Sequence, residues 1–442
     1  MSALATAPKI YTPDSAGRQT YALTFASSVA HLFLEDGGLF CGMMGDRAKL
    51  VAQLWKDGLI PKLIDRGLLA PATPCEVGYP FALKLDSTPT VSFSYEWCGE
   101  MWKAAALCVI DLMAELASNH LTLRFPNPWS VQFFGARPVY INAGTIAPLD
   151  AEAFARAINR LAQSFLYPLH FCYEGRSRLA RALLRDAVYG LRPDDFPELA
   201  ELERKHEAYL TDSTPERMLV ILREEVEEVV IPEPETSWSE YHHDWPLKPC
   251  DRWGHKQWAV HRVFKELQPR TVLDLAGNLG WYARLAAVEG ADVICSDIDE
   301  TCVNRLCRRL RQENARVLPL VLDLNDPSPG YGVDNRWFPA ATERLQSDLV
   351  LALAVTHHLV LAGFRLGFDQ VVRSLASFTR RALLAEFVPL DSEGCPYDRS
   401  SRPDANGWYD LDHFILALKA EFRNVSVLPS PPRSRRLLLC ER

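Results

Sequence analysis

Apolar residues in the second half of the chain fall in short, dense runs at nearly regular spacing. These are TVLDL from Thr271, VICSD from Val293, LPLVLDL from Leu318, DLVLALAV from Asp348 and RALLAEFV from Arg381. Such runs are apolar on both faces rather than alternating, as strands buried between layers of helix must be. Between them lie helical stretches such as WYARLAAVEG. The alternation from about Ser239 to Arg442 predicts an α/β fold with a doubly wound, Rossmann-like sheet whose ligand sits at the carboxyl ends of its strands. LPLVLDL is expected to end on Asp323 and DLVLALAV to run into His357 and His358. RALLAEFVPLD should carry Glu386 near its end. The tail, FRNVSVLPSPPRSRRLLLCER, predicts two short strands joined by a Pro/Ser turn.

The first half has a different pattern, rich in helical segments and tryptophan. An amphipathic helix is expected over Met101–Leu116, followed by a hairpin, VQFFGARPVYIN. TPERMLVILREEVEEVVI predicts a helix with Thr214 as N-cap and Pro215 at its first position. Its acids Glu224, Glu225, Glu227 and Glu228 read as a solvated face. PEPET (Pro232 to Thr236) breaks the helix, so we divide the chain into an α+β accessory domain (1–231), a linker or lid (232–250) and a nucleotide-type domain (251–442). At 442 residues, two domains are the prior.

The chemistry concentrates where TVLDLAGNLG turns into a helix. Asp274 ends the strand, and Ala276, Gly277, Asn278, Leu279 and Gly280 form a small-residue turn that lets backbone approach a ligand. Asp297 ends the next strand about twenty residues on, the spacing of an acid that takes ribose hydroxyls. The turn lacks G-x-G-x-x-G, so a pyrophosphate cradle and an NAD-dependent oxidoreductase are disfavoured.

The pattern instead resembles motif I of class I S-adenosylmethionine-dependent methyltransferases, acid-x-G-x-G-x-G, with Ala276 and Asn278 at the first two glycines and Gly280 at the third. The resemblance implies S-adenosyl-L-methionine as cofactor. It puts Asp274, Gly277, Asn278 and Gly280 around the methionine portion, Asp297 at the ribose, and Asp323 with Leu324 at the adenine. The acceptor is then expected beyond Ala354, where His357 or His358 would serve as base. Their side chains should diverge, one facing the pocket. Trp281 and Tyr282 are candidates to shape the pocket, and Glu386 and Tyr397 to contact the acceptor. His242 and His243, in the lead-in YHHDW, are lid or acceptor candidates. Their contiguity is poor for one metal ion, and no metal is expected. The Asn/Asp-Pro-Pro-Tyr/Phe quartet of many exocyclic-amine methyltransferases is absent.

The first half, from Tyr95 to about Leu191, resembles the group that includes nodulation protein NoeA. In that group a degenerate kinase-like segment, LKDASPYNVQF…PVFIDTLSF, precedes the methyltransferase domain. Here Phe125, Ser130 and Asn142 replace the segment's Asp, Asn and second Asp, so phosphotransfer is not expected. The resemblance implies methyl transfer to an oxygen or nitrogen of a small-molecule or sugar-derived metabolite. A non-catalytic cofactor-binding scaffold and sulfonium chemistry other than methyl transfer stay open.

Composition narrows the partners. The chain is 48% apolar and 24% charged, with net charge −8, which disfavours nucleic acid. The basic cluster CRRLRQENAR reads as a solvated helix face. Eleven cysteines, odd in number and without CxxC spacing, predict reduced thiols in a cytoplasmic protein. The N-terminus shows no signal architecture, and no apolar run suits a bilayer, so no membrane partner is expected. The accessory domain would shape the acceptor pocket or a homodimer interface.

Overall fold

The computed structural model describes residues 19–20, 30–35, 38–86, 90–186, 190–240, 245–332, 335, 337–361, 366–392, 395, 397, 407–429, 431 and 435–442. His242 and His243 lie outside them.

The first half opens on an antiparallel sheet of β1 (Gln19–Thr20), β2 (Ala30–Glu35), β3 (Gly38–Met43), β4 (Ala72–Cys75) and β5 (Phe81–Leu85), in the order β1-β2-β3-β5-β4. Between β3 and β4 run α1 (Gly45–Lys56) and α2 (Leu59–Asp65). Next comes α3 (Gly99–Ala117). It covers the expected Met101–Leu116, but fourteen of its nineteen residues are buried, so it is a core helix rather than an amphipathic one. Two small antiparallel pairs follow: β6 (Leu121–Leu123) with β9 (Ile146–Pro148), and β7 (Val131–Phe134) with β8 (Arg137–Tyr140). The second pair is the expected hairpin, turned by Gly135 at φ 61°.

Helices complete this half: α4 (Ala151–Leu161), α5 (Tyr167–Tyr173), α6 (Ser177–Asp186), α7 (Ala200–Asp212) and α8 (Pro215–Glu228). In α8 the Thr214 side chain accepts from the Arg217 N–H, the cap its sequence demands. Glu225 is no solvated acid, since it accepts from Tyr209 Oη at 2.7 Å and pairs with Lys205. The three replaced kinase-like positions serve packing. The Ser130 hydroxyl donates to Asn127 Oδ1, Asn142 is buried beside Cys41, and Phe125 lies under the Arg124 guanidinium. The gap between β3, β5 and the segment after β8 holds only about 10 Å³.

The second half is the expected α/β unit, made of α9 (His255–Leu267), β10 (Thr271–Leu275), α10 (Trp281–Val288), β11 (Asp292–Asp297), α11 (Glu300–Glu313), β12 (Val317–Val321), α12 (Ala341–Arg344), β13 (Ser347–Ala352), α13 (Thr356–Leu361), α14 (Phe368–Ser377), β14 (Thr379–Phe387), α15 (Leu411–Glu421), β15 (Asn424–Val427) and β16 (Arg436–Glu441). Its seven strands run β12-β11-β10-β13-β14-β16-β15, parallel from β12 to β14 and antiparallel at β16 and β15. The order reverses between β10 and β13, which opens a crevice at their carboxyl ends. Two boundaries depart from expectation, whereas Glu386 lies one residue before the end of β14, as expected. β12 stops at Val321, so Asp323 belongs to the following turn. The apolar run after Asp348 breaks at Ala354 (φ 55°), which puts His357 and His358 on α13 rather than on a strand end.

The two halves share one contiguous apolar core. Polar contacts across their interface centre on α11. Its Glu300 and Asn304 side chains accept from the Gly99 and Glu100 N–H groups at 3.2 and 3.0 Å, satisfying free donors at the start of α3. Arg311 pairs with Glu100, and Arg305 and Arg308 with Glu233. Arg308 and Arg311 of the basic cluster thus pair with acids of other segments, while Arg316 stays an exposed residue. Arg344 meets Glu96 in a second, buried pair.

Candidate active site

The loop after β10 sets the site. Ala276, Asn278 and Gly280 all have positive φ, at 55°, 53° and 68°. These are the three positions where glycines are expected, and the backbone holds the shape although only one is glycine. Asn tolerates this region, whereas Ala276 bears a strain of about 1–2 kcal/mol. Gly277 is needed for space. A Cβ there would stand 2.5 Å from Cys295 Sγ and 2.8 Å from Asp274 Oδ2. The Gly277 N–H donates to Ser296 O at 3.0 Å, tying the loop to β11.

A cavity of about 290 Å³ opens over this loop. Asp274, Gly277, Asn278, Asp297, Asp323, Leu324 and His358 line it, so seven of the predicted site residues converge. Gly280 lies behind the loop against Leu306. Tyr282 lines the cavity. Trp281 instead is core, its indole N–H donating to Trp245 O.

Each acid has a distinct state. Asp274 is buried and its Oδ2 has no partner. Burial pushes its carboxyl up to about 7, against the opposing charge of Lys256. Asp297 accepts from the Asn278 N–H at 2.7 Å and the Asp299 N–H at 2.9 Å, one on each oxygen. Burial raises it to about 6 even so. Each oxygen keeps a lone pair for a further donor. Asp323 spends Oδ1 on the Asn325 N–H and amide.

Beyond β13, the His357 and His358 rings lie 3.9 Å apart at a tilt of 39°, so they pack together rather than diverge. Only His358 reaches the cavity. Its Nδ1 is 2.8 Å from the Tyr397 hydroxyl, and burial lowers its pKa. His357 is driven to about 3 by burial, and its Nδ1 has no partner. Tyr397 thus reaches the site through His358. Glu386 does not line the cavity. It is buried, and its Oε2 accepts from Lys256 Nζ at 2.6 Å.

Several lining residues lie outside the predicted set, Trp238, Ile298 and Lys256 among them. Trp238 places its ring 4.9 Å from that of His358, and its carbonyl accepts from the Asn278 amide. Ile298 is 58% exposed directly after Asp297 and forms an apolar wall with Leu322 and Leu324. Lys256 sits beside Asp274. An aromatic in the lead-in segment and an apolar residue after a strand-end acid were the signals available. Among the described residues no group of His, Cys, Asp or Glu is placed to hold a metal ion, and no helix is long and apolar enough to cross a membrane.

A seven-stranded sheet in this order, with its crevice at the first and fourth parallel strands, is the class I methyltransferase fold. The resemblance to the NoeA group extends over most of the chain. Nodulation protein NoeA of Rhizobium meliloti (strain 1021) is 26% identical over 394 residues, 80% of each chain. No protein-family model matches. Among solved structures, WbdD has a TM-score of 0.32 and 18% identity over 44% of this chain, and the match spans 40% of the WbdD chain. Magnesium protoporphyrin IX methyltransferase from Synechocystis PCC 6803 with bound SAH has a TM-score of 0.29 and 17% identity, over 44% of this chain and 91% of its own.

Proposed function

We propose that this chain is an S-adenosyl-L-methionine-dependent methyltransferase acting on an oxygen or nitrogen of a small-molecule or sugar-derived metabolite. The observation that carries the reading is one cavity holding a buried acid with one unpartnered oxygen, Asp274, a backbone-braced acid on the adjacent strand tip, Asp297, and a neutral histidine, His358. The residues fit the cofactor. Asp274 offers its free oxygen to an ammonium, Asp297 its remaining lone pairs to ribose hydroxyls, and Ile298, Leu322 and Leu324 an apolar slot for adenine. When bound, the cofactor supplies an electrophilic methyl on sulfur.

The protein's own work is alignment, water exclusion and proton removal. Trp238 covers the acceptor end and narrows it against His358. With Nδ1–H directed at the Tyr397 oxygen, His358 keeps a lone pair on Nε2 for the acceptor's proton. Its lowered pKa keeps that lone pair free at neutral pH. The eleven free cysteines and the acidic net charge support a cytoplasmic protein without a nucleic-acid partner.

Calorimetric titration with S-adenosylmethionine and S-adenosylhomocysteine, with Asp297→Ala alongside, tests the reading. Micromolar binding lost in the variant is expected, and a wild-type protein that binds neither ligand overturns it. Incubation with cell-extract metabolites should then release S-adenosylhomocysteine. Methylthioadenosine in its place would point to other sulfonium chemistry.

A further inference from the structure

A second cavity, of about 320 Å³, lies in the first half between α5, α7 and α8. It shares no lining residue with the cavity over the loop after β10, and the proposed reaction gives it no task. Its floor is apolar, made by Leu166, Leu169, Leu202, Leu222, Val226 and Val229. Tyr173 lines it as well and is 54% exposed, a ring left largely in water. The polar contribution comes from α7, whose one buried residue is a histidine, His206.

His206 is 3% exposed, and its ring lies 6.1 Å from that of Tyr167, only 12° from parallel. Its Nδ1 has no hydrogen-bond partner among the described residues. A buried polar atom left so is costly, and such an atom in a cavity wall waits for a group from outside the chain. Burial lowers the imidazole to about 4, so the ring is neutral and carries one donor and one acceptor. The charges at the rim leave no cation to spare. Lys205 is held by Glu225 at 2.6 Å, and Glu228 lines the cavity beside them. An anion would meet net negative charge there. An apolar floor with a single convergent neutral polar group is the make-up of a small-molecule site. The volume is roughly twice the ~150 Å³ that encloses one benzene ring.

We infer that this cavity is a second ligand site, which takes an uncharged aromatic alcohol of about two fused rings with its hydroxyl on His206. The exposed Tyr173 ring supplies an aromatic contact to such a ligand. The site stands apart from the cofactor reading and survives or fails independently of it.

The test uses the full chain and three probes of one shape: 2-naphthol, naphthalene and 2-naphthoate. Binding of 2-naphthol is followed by its fluorescence anisotropy, and the other two are measured by competition. Wild type should bind 2-naphthol at least five-fold more tightly than naphthalene and at least ten-fold more tightly than 2-naphthoate. His206→Phe should hold naphthalene within two-fold of wild type and lose the preference for the hydroxyl. Leu202→Trp, which fills the cavity from its partly exposed side, should bind none of the three with its circular dichroism unchanged. Wild type that binds neither 2-naphthol nor naphthalene overturns the assignment. So does a hydroxyl preference that persists in His206→Phe, or binding that survives in Leu202→Trp. A dimer in sedimentation that Leu202→Trp dissociates, with no naphthol bound, would give the groove to a second copy of the chain and overturn the assignment as well.

Discussion

Replacing Asp274 by Asn should make the unliganded protein more stable at alkaline pH while destroying its cofactor site. The carboxyl is held at about 7 in the folded chain against an ordinary 3.8. A buried acid of this kind keeps its proton in the fold after the unfolded chain has lost it. Its contribution is therefore most favourable below pH 4, declines as pH rises, and reaches its minimum above 7. At about 1.4 kcal/mol per pH unit, the span from 3.8 to about 7 is worth roughly 4 kcal/mol, and the part between pH 5 and 7 roughly 3 kcal/mol. Asn cannot ionise, so Asp274→Asn should gain roughly 3 kcal/mol on wild type between pH 5 and pH 8. Urea unfolding of both proteins at each pH reads this difference, together with any change in Asp297, whose charge helps to raise Asp274. An ammonium-bearing ligand prefers the ionised carboxylate, so wild-type affinity for S-adenosylhomocysteine should climb up to ten-fold per pH unit below 7 and level off above it. A stability difference that does not change with pH would refute the reasoning.

Three further outcomes follow from the geometry. Gly277→Ala drives a methyl into Cys295 and Asp274, and should cost about 1–3 kcal/mol in unfolding experiments and abolish cofactor binding; an unchanged titration would contradict the close packing described. Glu96→Ala removes the only carboxylate paired with the buried Arg344 guanidinium among the described residues and should lose about 3–5 kcal/mol, with a loss below about 1 kcal/mol in denaturant speaking against that burial. His358→Gln should lower turnover by about 10²-fold or more with cofactor affinity unchanged, and Tyr397→Phe should shift the acid limb of the rate profile; an unaltered kcat in His358→Gln would remove it as base.

What the sequence could reveal was whatever depends on near neighbours. The strands of the second half were legible because a strand buried on both faces has to be apolar throughout, and the Thr214 cap because it is satisfied within four residues. The turn after Asp274 was legible despite Ala276 and Asn278, since the positions that need positive φ are spaced along the chain. Partnerships between distant segments were hidden. Glu386 looked like an acceptor contact because its true partner, Lys256, lies 130 residues away. Arg308 and Arg311 looked solvated because helical periodicity marks a polar face without saying that acids of another segment cover it. His357 and His358 were expected to diverge, as neighbours about 100° apart on a helix do. Both rings instead lean against Tyr397, at 6.0 and 5.6 Å.

The helix that follows Asp297 is held from both sides. Asp299 caps α11 and also receives the Thr236 hydroxyl, while the far face of the helix grips the start of α3. Trp238, two residues past Thr236, hangs on the Asn278 amide. The loop after β10, Trp238 at the cavity mouth and the first half of the chain thus hang from a common beam. Point changes around Glu100 or Glu233 should therefore register as altered cofactor affinity, although neither residue touches the cavity. A mutational scan of the second half alone would miss part of what sets that affinity.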